Sequence, residues 1–268
     1  MQIAFIGGGV MAEAMIRGIL DKGLAESRHL VASDIDAQRR ALLSQEYGLA
    51  TFQDNCSAAK HAEVIVLAIQ PYSLAQVMGE LGGHVQPEQL VISIVAGVGM
   101  ATISQGLRHE IIARAMPNMP AQIGEGISVW TVASGVNESY REKVRSLLNV
   151  LGKELFVGDE RYLDMATAVS GSGPAYVLVI IESLIDAAVH IGLPRQAAKE
   201  LVLQTILGTT NVVNRWNKHP AELRDLVVSP GGTTAAGLLQ LEQGGLRATL
   251  SRAIIAGYEK AKSLGGKV

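Results

Sequence analysis

Cysteine is almost absent: Cys56 is alone in 268 residues, so no intramolecular disulfide can form. A reducing, cytoplasmic compartment is the simplest expectation. Aromatic residues make up only 4 % of the chain against 48 % hydrophobic residues. The core is therefore expected to be packed with Ala, Val, Ile and Leu, as in a soluble α/β or all-α protein. No basic block stands out and the formal net charge is −2, which argues against a nucleic-acid partner. No basic segment precedes the first strand, so no leader is expected. The six histidines have no metal-ligand spacing, so no metal is expected. The longest apolar run of the second half, Ala175–Ile181, is interrupted by Glu182, Ser183 and Asp186. A membrane span needs about 20 apolar residues, so this reads as a buried helix with no membrane partner.

The first half alternates short apolar strands with helical segments. Strands are predicted at Gln2–Ile6, Leu30–Ser33, Val64–Ile69, Leu90–Val95 and Glu110–Ala115. Ile127–Val132 and Glu154–Val157 read as edge strands, with a helix over about 138–151 between them. This spacing makes a doubly wound, mainly parallel sheet, expected to fill residues 1–158. Between the first strand and helix lies Gly7-Gly8-Gly9-Val10-Met11-Ala12, a G-x-G-x-x-A pattern. Gly7 allows the tight turn, Gly9 the close approach of a pyrophosphate, and Ala12 the close packing of helix on strand. The strand before and the helix after make it a dinucleotide fingerprint.

Ligands of such sheets bind beyond the carboxyl ends of the strands. Gly7–Gly9, Ser33, Gln70-Pro71, Ala96-Gly97 and Pro117-Asn118 all fall at those ends and are expected to line one crevice. Asn55 fits that crevice or a helix cap equally well. Asp34 and Asp36 suit the ribose 2′-hydroxyl of NAD, or a helix cap; Ser33, Arg39 and Arg40 suit the 2′-phosphate of NADP. The residues alone leave that preference open.

From residue 159 to 268 the pattern is helical, and an all-α second domain is expected. Tyr162–Val169 reads as one helix, broken by Ser170-Gly-Ser-Gly-Pro174. Ala175–Ile191 is apolar on nearly every face, more than a domain of this size can cover, so a homodimer is expected. Further helices are predicted up to Trp216, over about 221–227, at Thr233–Gln243 and at Leu246–Leu264. Glu182 and Asp186, one turn apart, read as partnered groups at a helix interface rather than a catalytic pair. Ser229-Pro-Gly-Gly-Thr-Thr234 precedes one helix. Taken alone it is more simply a Pro-Gly turn with Thr as N-cap, but it also suits a carboxylate held on backbone N–H groups at a helix start.

Four stretches carry a family resemblance: Phe5–Met11, Arg114–Pro120, Ser170–Tyr176, and Leu223–Leu238 with its Ser-Pro-Gly-Gly-Thr-Thr. Together they make the chain resemble pyrroline-5-carboxylate reductase over essentially its whole length. The resemblance implies NAD(P)H-dependent reduction of 1-pyrroline-5-carboxylate to L-proline, the last step of proline synthesis. It also implies a Rossmann domain followed by a helical dimerisation domain, dimers that in some members form decamers of five, and NADP as cofactor, NADPH preferred and NADH possible. Carried over, Ile6, Gly7, Gly8, Gly9, Val10 and Met11 would hold the pyrophosphate and Ser33 the 2′-phosphate. Asn55, Ala68, Ile69, Gln70 and Pro71 would contact the ribose and nicotinamide side, with Ala96 and Gly97 as further cofactor contacts. Ser229, Gly231, Gly232, Thr233 and Thr234 would hold the substrate carboxylate, with Asn118 a further substrate contact. Thr234 Oγ would reach the ring nitrogen as the catalytic group. The family's usual lysine before Pro71 is Gln70 here.

A β-hydroxyacid dehydrogenase shares the two-domain layout but needs a catalytic lysine followed three residues later by Asn. Lys199 is followed by Glu-Leu-Val and Lys218 by His-Pro-Ala, so neither fits. A rival of another class is an NADP-binding sensor without chemistry; the intact Ser229–Thr234 segment argues against it.

Overall fold

A computed structural model describes residues 1–265. The chain divides into two compact units, Met1–Pro174 together with the chain from Ala256 on, and Ala175–Ile255. The first is built on one eight-stranded sheet. Its strands are β1 (Ile3–Ile6), β2 (Leu30–Ser33), β3 (Ala50–Phe52), β4 (Val64–Leu67), β5 (Leu90–Ser93), β6 (Ile112–Met116), β7 (Gly126–Val132) and β8 (Gly152–Phe156). They lie in the order β3-β2-β1-β4-β5-β6-β7-β8. All neighbours are parallel except β6 and β7. The order reverses between β1 and β4, so a crevice opens at the carboxyl ends of those two strands.

The strands are continuous apolar runs because both faces of the sheet are covered. In β1, Ile3 and Phe5 pack on one side with Met15, Ile16 and Ile19 of α1 (Val10–Asp21) and Leu147 and Leu148 of α6 (Glu138–Asn149). Ala4 and Ile6 face the other side, where α3 (Asn55–Ala59), α4 (Leu74–Leu81) and α5 (Met100–Leu107) supply Ala58, Leu74, Leu81, Ile103 and Leu107. The layout thus follows from the strand period of two. Helix α2 (Ala37–Tyr47) follows β2.

Three sequence expectations need correction. Strand β3 was not foreseen; Ala50–Phe52 is three residues long and pairs only with β2. Ile127–Val132 is not at an edge: β7 lies between β6 and β8, and Trp130 in it is fully buried. The edges are β3 and β8. Finally, Ser170–Pro174 does not break the helix. After α7 (Arg161–Ala166) the chain widens into a π-turn over Thr167–Gly171 and continues as α8 (Gly173–His190). Ser172 N–H donates to Thr167 O at 2.8 Å, five residues back. Thr167 and Ser170 hydroxyls donate to Leu163 O and Ala166 O. Pro174 has no N–H to give, and the carbonyl four residues back, Ser170 O, accepts from Asn118 Nδ2 at 3.1 Å.

The second unit is helical: most of α8, then α9 (Arg195–Trp216), α10 (Pro220–Asp225), α11 (Thr233–Gln243) and the first half of α12 (Leu246–Gly265). Val177, Leu178, Val179 and Leu184 of α8 are exposed in the single chain. By length and apolar content alone, the helical stretch Arg161–His190 would span a membrane. Asp186 is paired with Arg195 at 2.9 Å, and Glu182 is exposed. No metal-binding group of His, Cys, Asp or Glu occurs among the described residues.

Candidate active site

The glycine loop closes against the neighbouring strands. Gly7 has φ +92°, and a Cβ there would sit 2.6 Å from Ala68 O, so only glycine fits. Its N–H donates to Ser33 O at 2.8 Å. Gly9 is the N-cap of α1 and no side chain caps that helix. The first turn of α1 therefore keeps N–H donors for an anion, and the helix dipole favours one. Arg39 braces the loop: it donates to Gly8 O and pairs with Glu13 in the first turn of α1. Tyr47 donates to Glu13 at 2.8 Å. Burial pulls the Glu13 carboxyl upward, but the Arg39 and Tyr47 hydrogen bonds outweigh it and hold it below the usual range.

Helix capping sorts the polar residues at the next strand ends. Asp36 caps α2 by accepting from Gln38 N–H, and Asp54 caps α3 by accepting from Ser57 N–H. Asp34 and Asn55 are thereby released from capping. The Asp34 carboxylate accepts from Gly8 N–H at 2.8 Å and Asp36 N–H at 2.9 Å. Ser33, fully buried, donates to Asn55 Oδ1 at 2.7 Å, and Asn55 Nδ2 donates to Glu80 at 2.6 Å. Glu80 also accepts from Gln76 at 2.8 Å. The Cys56 thiol donates to Glu80 O at 3.2 Å, and burial pushes it up and keeps it protonated. Glu80 and Gln76 carried no signal in the sequence: they are two polar residues on an otherwise ordinary amphipathic helix.

Two cavities meet at the reversal point of the sheet. One, of about 290 Å³, is lined by Gly7, Gly9, Ser33, Asp34, Asn55, Ala68, Ile69, Gln70, Gln76 and Glu80. The other, of about 410 Å³, is lined by Gly9, Val10, Met11, Ala68, Ile69, Gln70, Pro71, Ala96, Asn118 and Gly171. Gly9 and Ala68–Gln70 border both. Most of the expected cofactor residues are thus brought together. Ile6 lies inside the sheet, where its carbonyl accepts from Ala68 N–H. Gly97 lines a separate cavity of about 370 Å³ with Arg114, Glu160 and Asp164. Both ends of the Asn118 amide are engaged: Oδ1 accepts from Ile127 N–H at 2.9 Å and Nδ2 donates to Ser170 O at 3.1 Å.

The second unit holds Ser229–Thr234. Gly231 has φ +70°, and Gly232 N–H donates to Ser229 O at 3.0 Å, closing a turn. Gly232, not a threonine, is the N-cap of α11, and no side chain caps that helix. Thr233 and Thr234 are its first two residues, and Thr234 is half-buried.

Comparison with known proteins decides what this arrangement belongs to. Residues 160–264 match the pyrroline-5-carboxylate reductase dimerisation family, and residues 2–97 match the NADP oxidoreductase, coenzyme F420-dependent family. The pyrroline-5-carboxylate reductase of Synechocystis sp. is 39 % identical over 267 residues, covering 100 % of this chain and 99 % of that protein. That of Arabidopsis thaliana is 34 % identical over 263 residues, covering 98 % and 95 %. The chain belongs to the pyrroline-5-carboxylate reductase family.

Solved reductases agree with it in fold. One from Coxiella burnetii superimposes with a TM-score of 0.90 at 32 % identity, covering 98 % of each chain. The Plasmodium falciparum pyrroline carboxylate reductase with NADP bound gives 0.90 at 33 % identity, covering 98 % of each. The chain is an NAD(P)H-dependent oxidoreductase that reduces the C=N of 1-pyrroline-5-carboxylate to give L-proline, the final step of proline biosynthesis. As a reductase it carries a dimerisation domain in its helical part. Where the family resemblance expects a lysine before the proline, this reductase has the neutral, exposed Gln70 on the border of both cavities.

Proposed function

We propose that the reductase holds the adenosine end of its dinucleotide in the cavity of Ser33, Asp34 and Asn55, and the nicotinamide end in the cavity of Met11, Ala96 and Asn118. The observation that carries this reading is the uncapped start of α1 at the β1/β4 reversal, where Gly9 borders both cavities. The fit is supported by Gly7, whose missing Cβ is what lets the loop close on Ala68. NADPH is the preferred donor and NADH a usable one. When bound, the dinucleotide supplies the hydride.

The rest of the chemistry is positioning. The substrate is a cyclic imine with a carboxylate, and if it enters protonated no strong protein acid is required. The backbone N–H groups of the Gly231–Thr234 turn and helix start suit the carboxylate. The Thr234 hydroxyl suits the ring nitrogen, orienting C=N and steadying its changing charge. Ser229, Gly231, Gly232 and Thr233 shape the clamp, and Asn118 borders the substrate end.

The reading extends to assembly. The functional domains are taken to divide at 158/159, just ahead of the dimerisation match that begins at 160, although the compact units part at 174/175. The exposed apolar face of α8 supports a homodimer, with a decamer of five dimers as the larger form. That face accounts for the apolar helix without a membrane, and the enzyme acts in the cytoplasm on a small molecule, without nucleic acid.

Steady-state oxidation of NADPH and of NADH with pyrroline-5-carboxylate, on the wild type and on Ser33→Ala, tests the reading. Turnover with both donors and a changed NADPH/NADH ratio in the variant are expected. No turnover with either donor would overturn the reductase assignment for this chain. An unchanged preference would remove Ser33 from the 2′ seat.

A further inference from the structure

We propose that Glu80 sets the direction of a hydrogen-bond relay through Asn55 to Ser33, and thereby weights the 2′ seat toward the hydroxyl of NADH and against the phosphate of NADPH. The inference rests on the assignment of the Ser33–Asp34–Asn55 cavity to the adenosine ribose.

The argument starts at the carboxylate. An ionised carboxylate only accepts hydrogen bonds. Glu80 stands 2.6 Å from the Asn55 amide, so Asn55 must turn its NH₂ toward it. The Oδ1 of Asn55 then faces Ser33 at 2.7 Å, and an amide oxygen also only accepts. The single proton of the Ser33 hydroxyl is therefore spent on Asn55. What Ser33 offers the cavity is lone pairs. A ribose 2′-hydroxyl can donate to them; a 2′-phosphate, whose oxygens accept, finds no donor there. Gln76, at 2.8 Å on the other carboxylate oxygen, keeps Glu80 in place.

The surroundings reinforce the bias. The Asp34 carboxylate lines the same cavity, fixed by two backbone N–H groups, and adds a second negative charge. Both nearby guanidinium groups are committed elsewhere: Arg39 to Gly8 O and Glu13, Arg40 to the carbonyls of Asp34 and Ile35. No cation among the described residues lines this cavity. The bias is relative, so NADPH can still be used; Glu80 narrows the margin by which it is preferred.

The experiment is Glu80→Gln. A glutamine can offer its own NH₂ to Asn55 Oδ1. Asn55 can then turn its NH₂ to Ser33, and the Ser33 proton is free for a phosphate oxygen. The ratio of kcat/KM with NADPH to that with NADH is expected to rise roughly tenfold, the scale of one net hydrogen bond and one removed like charge. Calorimetric titration with 2′,5′-ADP and with 5′-ADP reads the same shift without turnover. Glu80→Ala, which removes the carboxylate without adding a donor, is a second variant and should shift both ratios in the same direction. Glu80 acts through Asn55, so a merely structural role would lower use of both donors and leave the ratios alone. Unchanged or lowered ratios in the folded variants would overturn the inference. Failure of the wild type to bind either dinucleotide would instead overturn the cavity assignment beneath it.

Discussion

The carboxylate of Asp34 accepts a hydrogen bond from the backbone N–H of Gly8 at 2.8 Å. An acidic side chain at the end of β2 thus holds the glycine loop in shape from across the crevice. The same carboxylate lines the cavity proposed for the adenosine end, so on that proposal one group serves loop and ligand.

Removing it should be felt in both. Asp34→Ala leaves Gly8 N–H and Asp36 N–H without their partner, and a loss of about 1–2 kcal/mol in unfolding free energy is expected. NADH affinity should fall by roughly tenfold through the lost ribose contact, and NADPH affinity by less. Denaturant titration and fluorescence titration with both dinucleotides check the two effects. Equal losses for both dinucleotides would remove Asp34 from ribose recognition.

Arg114 is the most buried charge of the first unit's helix–sheet junction. Its side chain is 5 % exposed and pairs with Glu160 at 2.9 Å and Asp164 at 3.3 Å. Glu160 also accepts from Met100 N–H at the start of α5. Arg114→Ala would leave two carboxylates facing an empty space, at a cost of about 3 kcal/mol. The same change in a Glu160→Gln, Asp164→Asn background should cost clearly less, because the stranded charges are gone. A double-mutant cycle by chemical denaturation measures this; additive costs would mean that Arg114 packs without pairing.

Thr234→Ala should lower kcat/KM by roughly 10–100-fold, the loss expected for one positioned hydrogen bond in the reaction. Alanine at Gly232 should do more harm, since its Cβ would collide with Ser229 Oγ inside the turn proposed to hold the carboxylate. At Gly231 the positive φ adds backbone strain to any side chain. Steady-state kinetics on the three variants rank these effects, and a silent Thr234→Ala would take Thr234 out of the mechanism.

The Glu13–Arg39 pair gives a pH signature. The Glu13 carboxyl is held below its usual value of 4.5. A lowered pKa contributes stability that is complete above about pH 4.5 and disappears as the pH falls through the folded-state value. Glu13→Gln should therefore destabilise the protein at pH 7 and converge on the wild type below pH 4.5. Parallel unfolding curves across that window, with a constant difference, would contradict it.

Particular elements show how far the sequence determines this structure. Leu30–Ser33 and Thr233–Gln243 could be delimited to the residue, because an apolar run meets Asp in one case and two glycines precede the other. The glycine loop was legible because its turn, its neighbours and its chemistry agree. Strand β3 was not, since Ala-Thr-Phe has no period to read and its pairing depends on β2 being beside it. The Ser170–Pro174 segment looks like a break, because neither glycine nor proline reveals that hydroxyls at 167 and 170 will carry a π-turn. Asn55 hung between cap and crevice until Asp54 took the cap. Glu80 reaches Asn55 only once α4 lies beside α3, a contact between residues 25 apart that local pattern does not encode.

Cys56 gives this relay a built-in sensor. Its thiol is tied to the main chain of the residue that orients Asn55, and it is the protein's only sulfhydryl. A thiol held protonated and half-buried reacts slowly with alkylating reagents until α3 parts from α4. The labelling rate of the native protein therefore counts those local openings. It should slow when a dinucleotide fills the neighbouring cavity, giving a direct reading of how often the seat breathes, with no probe added to the chain.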